Sequence, residues 1–192
     1  FSFYGSKGDS GFTIVETLVA ITILMIAIAG PLTIAQKGLT ASTYARDQMI
    51  ASFLAQDGLE YAKNIRDNNL KNRDPIDWLY GLTSCTSHDP CSVNTLDGDP
   101  TSDTSPLGLD TCQSGYDTSS NYECPLYKSS TNNVGYTPDS SNIDKTQFNR
   151  VFYIIPDQLN SNKASMVVKV FWYNGTVANE VIYQDEIYNI RL

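Results

Sequence analysis

The sequence predicts an α+β protein: a long N-terminal helix packed on a small C-terminal antiparallel sheet, with a long disulfide-stapled loop between them. Three observations predict it. The stretch from Thr17 to Gln36 contains no charged residue, and its length suits an apolar helix that crosses a bilayer. The block from Gly81 to Gln147 is dominated by Ser, Thr, Asp, Asn, Gly and Pro and holds all four cysteines, a composition that gives a long loop with little core of its own. The last part of the chain is rich in β-branched and aromatic residues around Asn174-Gly175, a dipeptide favoured in two-residue hairpin turns because both positions need positive φ.

The helix is expected from about Phe12 to Asp67–Asn69. Its first half is carried by Leu18, Val19, Ile21, Ile23, Leu24, Met25, Ile26, Ile28, Leu32 and Ile34. Beyond Gln36 the pattern continues. Leu39, Thr43, Ile50, Leu54 and Tyr61 recur near helical or heptad multiples, and Met49, Phe53 and Ile65 widen the stripe. Arg46, Asp47, Gln48, Gln56, Asp57, Lys63, Asn64 and Arg66 supply polar faces. Gly30-Pro31 is expected to kink the helix, because proline removes a donor and clashes with the previous turn. Gly38 and Gly58 weaken it locally. At ~1.5 Å per residue such a helix is a rod of roughly 80 Å. That is too long for a compact domain of this size, so half of it must pack on something else.

The C-terminal strands are expected at Val151–Ile155, Ser165–Tyr173, Val177–Gln184 and Ile187–Leu192. A sheet of three or four strands is thin, and its apolar face needs cover. The second half of the helix, with Phe53, Leu54 and Tyr61, is the available lid.

Charge is unevenly placed. The chain of 192 residues has 13 Lys+Arg against 21 Asp+Glu, a formal net charge of −8. Residues 1–74 and 128–192 each balance to zero, whereas residues 75–127 carry eight acidic side chains and no Lys or Arg. An acidic loop is a poor generic binder of nucleic acid, which needs basic groups to displace phosphate counterions. Direct nucleic-acid binding is therefore not expected from the loop. Any such contact would fall to Lys128, Lys145, Arg150, Lys163 and Lys169, or to another subunit. The first residue is Phe, not Met, which gives the expectation that further residues precede it.

Four cysteines fit an oxidising compartment. Cys85, Cys91, Cys112 and Cys124 allow three pairings, with proximity favouring Cys85–Cys91 and Cys112–Cys124. Zinc is disfavoured because no C-x-x-C pair exists, although His88 lies three residues from both Cys85 and Cys91. Asp97, Asp99 and Asp103 space oxygens like part of a calcium loop, but the turn glycine and the terminal Glu of such loops are missing. They read as solvated loop acids, and no metal or cofactor is expected. Nothing brings the single His together with a Ser and an Asp, so no enzyme is expected either. Tyr116, Tyr122, Tyr127 and Tyr136 lie in the loop block. They read first as fillers of a thin stapled core with polar tips in water, and second as a surface for adhesion or stacking on a ligand.

The most informative stretch is Gly11-Phe12-Thr13-Ile14-Val15-Glu16, set directly ahead of the apolar helix. It resembles the N-terminal cleavage and methylation motif of type IV pilins and pseudopilins. The resemblance implies that a prepilin peptidase cuts after Gly11 and methylates Phe12, and that Glu16 is the family's assembly glutamate. Two departures are visible: Ile14-Val15 stands where Leu-Ile or Leu-Val is commoner, and only Lys7 supplies a basic charge near the cut. The helix region Ala45–Asp67 and the C-terminal strands with Trp172 look like those of minor pilins and minor pseudopilins.

On this reading residues 1–11 are a leader that is removed and 12–36 the transmembrane and assembly helix. Residues 37–74 are the amphipathic helix half, 75–148 the variable Cys-containing loop and 149–192 the sheet. A carboxylate at the edge of an apolar span is expensive to bury alone and tolerable when paired. The resemblance supplies a partner for Glu16: the amine that cleavage creates on Phe12 of the same or a neighbouring subunit. The implied partners are the peptidase, other pilin or pseudopilin subunits, the inner-membrane assembly platform and membrane lipid before assembly. The implied location is a single-pass chain in the cytoplasmic membrane with an extracytoplasmic C-terminal part, and then a surface or periplasmic filament. A minor pilin, a type II secretion pseudopilin and a DNA-uptake pseudopilin all fit. So does an anchored extracytoplasmic binding domain that never assembles.

Overall fold

The computed structural model describes residues 11, 13–72, 78–96, 108–114, 122–129, 135–141 and 144–190. One helix, α1, runs over Ile14–Asn72. Thr13 starts it. The Thr13 hydroxyl accepts a hydrogen bond from the Glu16 N–H at 3.2 Å and its carbonyl accepts from the Thr17 N–H at 3.1 Å. Thr13 is thus the N-cap, with Glu16 three residues on, the spacing of a capping box. The helix assignment continues through Gly30 and Pro31.

The hydroxyls of the apolar stretch turn back onto their own helix. Thr17 donates to the Ile14 carbonyl at 2.8 Å, Thr22 to Val19 at 2.8 Å and Thr33 to Ala29 at 2.9 Å. In a medium without water an unmatched hydroxyl is costly, and a bond to the preceding turn removes that cost. The large apolar side chains from Ile14 to Ile34 are all exposed.

From Asp47 onward the helix belongs to a folded unit with the sheet. Its buried seam is Asp47, Ala51, Leu54, Ala55, Leu59, Tyr61, Ala62, Ile65 and Asn69. The spacing is that of one helical face, and the alanines and Gly58 let the backbone approach the sheet. A Cβ on Gly58 would stand 3.3 Å from both Arg150 Cδ and Val168 Cγ1. Leu54, Tyr61 and Ile65 are buried as the stripe predicts. Phe53 is not: it is 64% exposed, and Met49 is 62% exposed. The apolar stripe read from the sequence was weighted by large residues, whereas close packing selects small ones. Replacing Gly58 with Leu is expected to lower stability by about 1–3 kcal/mol through overpacking, read as a lower denaturant midpoint at unchanged slope.

Among the described residues nine strands follow: β1 (Cys91–Val93), β2 (Leu109–Thr111), β3 (Gln113–Ser114), β4 (Tyr122–Glu123), β5 (Pro125–Lys128), β6 (Tyr136–Thr137), β7 (Asp144–Pro156), β8 (Lys163–Asn174) and β9 (Val177–Tyr188). β7, β8 and β9 form an antiparallel meander, with Phe152 opposite Val168 and Val168 opposite Tyr183. The β8–β9 turn is Asn174-Gly175, and Gly175 has φ of 63°, as a turn of this kind requires. The other edge of β7 is shared: β5 pairs along Asp144–Asn149 and β1 pairs at Phe152. β2 extends β1, β6 extends β5, and β3 and β4 make a separate two-stranded ribbon.

The loop block therefore contributes four short strands to a seven-stranded sheet, beyond the three or four strands expected. Strands of two to four residues carry no readable alternation, and their pairing is set by the free edge of β7. Ile187 and Tyr188 end β9 instead of opening a strand of their own, Asn189 and Ile190 lie outside any strand, and Arg191 and Leu192 of the expected last strand lie outside the described residues. Among the described residues β9 pairs only with β8.

The core lies between the helix seam and the inner face of the sheet. Trp172, Phe152, Met166, Val168, Val170 and Ile65 are among its apolar members, and Leu82, Val93 and Leu126 enter it from the loop block. Trp172 packs on Phe148 with ring centroids 6.0 Å apart. Asn69 closes the end of the helix, donating to the carbonyls of Trp78 at 3.2 Å and Tyr80 at 2.9 Å.

Candidate processing and assembly site

The residues singled out by the motif sit at the very start of α1. Gly11 is exposed, and a Cβ built on it would meet no atom within 4 Å. Phe12 lies outside the described residues. Glu16 is exposed on the first turn, one of a run in which Ile14 is 84% and Val15 72% exposed. Its backbone N–H is held by Thr13, which fixes the helical turn from which the carboxylate projects. Acidic residues in a first turn are favoured by the helix dipole. Gly11 and Glu16 are thus brought to one end of one helix, with Gly11 in the open.

The cysteines pair as Cys85–Cys91 and Cys112–Cys124, each with Cα atoms 5.2 Å apart. The first bridge is buried in the core and the second joins the end of β2 to the start of β5. Intact mass before and after reduction is expected to differ by about four hydrogens for two bridges. Reduction is expected to lower stability by about 2–4 kcal/mol per bridge. Asp97, Asp99 and Asp103 lie outside the described residues. His88 is exposed, its Nδ1 3.4 Å from the Ser87 hydroxyl.

The sequence placed Arg150 among the basic groups open to a polyanion. It is in fact fully buried. Its Nη1 donates to the Leu54 carbonyl at 3.0 Å and to Asp57 Oδ2 at 2.9 Å, and its Nη2 donates to the Val93 carbonyl at 2.6 Å. Asp57 Oδ2 also accepts from the Thr95 hydroxyl at 2.7 Å. One guanidinium thereby ties the helix, β7 and the loop block together. Desolvation by burial pushes its pKa down, and the Asp57 charge opposes that shift. Strand alternation puts Arg150 on the face of the buried Phe148, Phe152 and Ile154, but nothing local to it announces the partners that make its burial tolerable.

Two of the remaining cations are engaged as well. Lys163 meets Glu186 at 2.7 Å and Lys169 meets Glu180. Lys63, on the helix, holds Asp185 of β9. The Lys63 bond keeps the Asp185 carboxyl below its ordinary pKa, against a smaller opposing effect of desolvation. A carboxyl with a depressed folded-state pKa contributes stability above its unfolded value of about 3.9 and loses it as pH falls through the folded value. The thermal midpoint of Lys63→Ala is therefore expected to lie below wild type at pH 7 and to converge on it in strong acid. The gap stays small because the pair is partly exposed.

A family described as the prokaryotic N-terminal methylation motif matches residues 6–30. No curated protein and no solved structure matches the chain. The matched segment holds Gly11, Phe12 and Glu16 and runs into the apolar helix, whose hydropathy and length suit a membrane span. An apolar N-terminal helix behind this motif fits membrane anchoring, and the motif points to a structural subunit rather than an enzyme. The motif implies processing by a prepilin peptidase and association with other pilin subunits. At residues 6–30 the chain thus carries the N-terminal methylation motif of type IV pilin-like and pseudopilin precursors, followed by a long helix whose second half packs on an antiparallel sheet.

Proposed function

We propose that the chain is a minor pilin: a structural subunit cut after Gly11, methylated on Phe12 and assembled through its N-terminal helix into a type IV pilus-like filament. The observation that carries the reading is the motif at the head of a helix whose large apolar side chains are all exposed from Ile14 to Ile34. Lipid covers these side chains first and neighbouring helices afterwards, with Glu16 paired to a newly freed Phe12 amine. The large stapled block between helix and meander favours a surface-displayed minor subunit over a secretion or DNA-uptake pseudopilin.

The test is a mass spectrum of the mature N-terminal peptide. It is expected to begin at Phe12 and to be one methyl group heavier than the unmodified sequence. A mature terminus elsewhere, or one left unchanged by Gly11→Val, overturns the processing step. An anchored binding domain that never assembles is the reading from another class, and the folded unit from Asp47 onward has a core complete enough to serve one. Its presence in, or absence from, sheared surface filaments decides between the two.

A further inference from the structure

A groove of about 630 Å³ opens in the sheet unit. It arises from the shared edge of β7. Because β5 and β1 pair with successive parts of that edge, the β1–β2 and β5–β6 pairs run side by side and leave a fork between them. Cys112–Cys124 bridges the fork. Two backbone bonds hold its walls: the Arg150 N–H donates to the Cys124 carbonyl at 3.0 Å, and the Cys112 N–H donates to Pro90 at 2.9 Å. The walls are therefore fixed before any ligand arrives, which lowers the ordering cost of binding. The volume lies in the range of small-molecule sites.

The lining is polar and mixed in charge. Asp110, Glu123, Asp139, Tyr127 and Lys145 contribute to it, together with Pro125 and Pro138. Asp110, Glu123 and Lys145 are exposed and Tyr127 is half-buried. Unlike Lys63, Lys163, Lys169 and Arg150, Lys145 makes no ion pair among the described residues, and neither Asp110 nor Glu123 does. Three carboxylates, Asp110, Glu123 and Asp139, against the one ammonium of Lys145 disfavour an anionic ligand such as a phosphate or a nucleic acid. Charged walls disfavour a purely apolar one. Carboxylates accept hydrogen bonds from hydroxyl groups, and an aromatic ring offers an apolar face with a polar tip. Together these suit a flat ligand with C–H faces and a hydroxyl rim.

We propose that this groove is a binding site for an uncharged or amino-bearing glycan, with Asp110 and Glu123 accepting from sugar hydroxyls, Tyr127 under a sugar face and Lys145 donating. The test uses the full chain in detergent on an array of immobilised neutral, amino-sugar and sulfated oligosaccharides. Wild type is expected to be retained on neutral or amino-sugar members and not on sulfated ones. Asp110→Asn with Glu123→Gln is expected to lower that retention at least about tenfold, as is Tyr127→Ala, each with an unchanged thermal midpoint. Lys169→Ala, on the β8–β9 ion pairs, is expected to bind like wild type. Retention on no glycan, equal retention by the groove variants, or preference for sulfated glycans overturns the proposal. None of these results bears on cleavage after Gly11, so the two readings fail separately.

Discussion

Replacing Arg150 with Ala is expected to destabilise the folded unit by about 3–5 kcal/mol, the cost of breaking a buried pair from one side. The loss has three parts. The Leu54 and Val93 carbonyls lose a charged donor, and an unsatisfied buried acceptor costs about 1–3 kcal/mol. A cavity opens beneath Gly58, whose neighbourhood is the Arg150 side chain. Asp57 and Thr95 lose the cation that gathers them. The reverse change, Asp57→Ala, is expected to cost less. Asp57 is half exposed, so water takes over part of its role, and the guanidinium keeps its two carbonyl partners. Chemical denaturation of the two variants checks the order. Equal losses would mean that the ion pair, rather than the carbonyl bonds, carries the clamp.

The second large effect is expected at the other end of the chain. On the proposed reading Glu16→Ala leaves folding and cleavage intact and removes the anion that pairs with the Phe12 amine. That amine would then be buried among apolar helices without a partner. A one-sided loss of this kind costs about 3–5 kcal/mol, on the order of a hundredfold to several thousandfold in the assembly equilibrium. The measurement is the amount of subunit in sheared filaments relative to the amount in membranes. Gly11→Val is expected to give the same absence from filaments with a different cause, because the amine is never formed; the uncut leader in the mass spectrum tells the two apart. Normal incorporation of cleaved Glu16→Ala would remove the proposed role of Glu16.

The parts of the fold legible in the sequence are those with a long period. The apolar run to Ile34 and the Asn174-Gly175 turn flanked by Val170, Trp172 and Val181 each repeat over enough residues to show a phase. The helix end at Asn72 lies a little past the expected limit because Asn69 finds carbonyls at Trp78 and Tyr80, partners that no local pattern announces. β1, β2, β5 and β6 were illegible for a related reason: each is four residues or fewer and takes its register from a distant strand. At the candidate site, Gly11, Phe12 and Glu16 fall within one six-residue stretch, so the motif that they belong to could be read directly. Arg150 could not, since its partners Leu54 and Val93 are 96 and 57 residues away and a charged side chain in an acidic protein reads first as a surface group. The groove at Asp110 and Glu123 was hidden in the same way, being built where two hairpins meet.

The outer edge of β9, unpaired among the described residues, has a consequence for crowding. A twelve-residue strand paired on one side presents alternate N–H and C=O groups to any second strand, and copies anchored together in one membrane, as on the proposed reading, would meet often. β9 contains Glu180, Asp185 and Glu186 and no Lys or Arg. Each carboxylate is matched by a lysine of its own chain. A second β9 laid antiparallel would bring acid against acid while finding those lysines already engaged. Charged residues on an edge discourage this kind of strand addition. The ion pairs thus add little to the stability of one molecule and act mainly on its solubility among many: they keep a half-finished sheet from being completed by its neighbours.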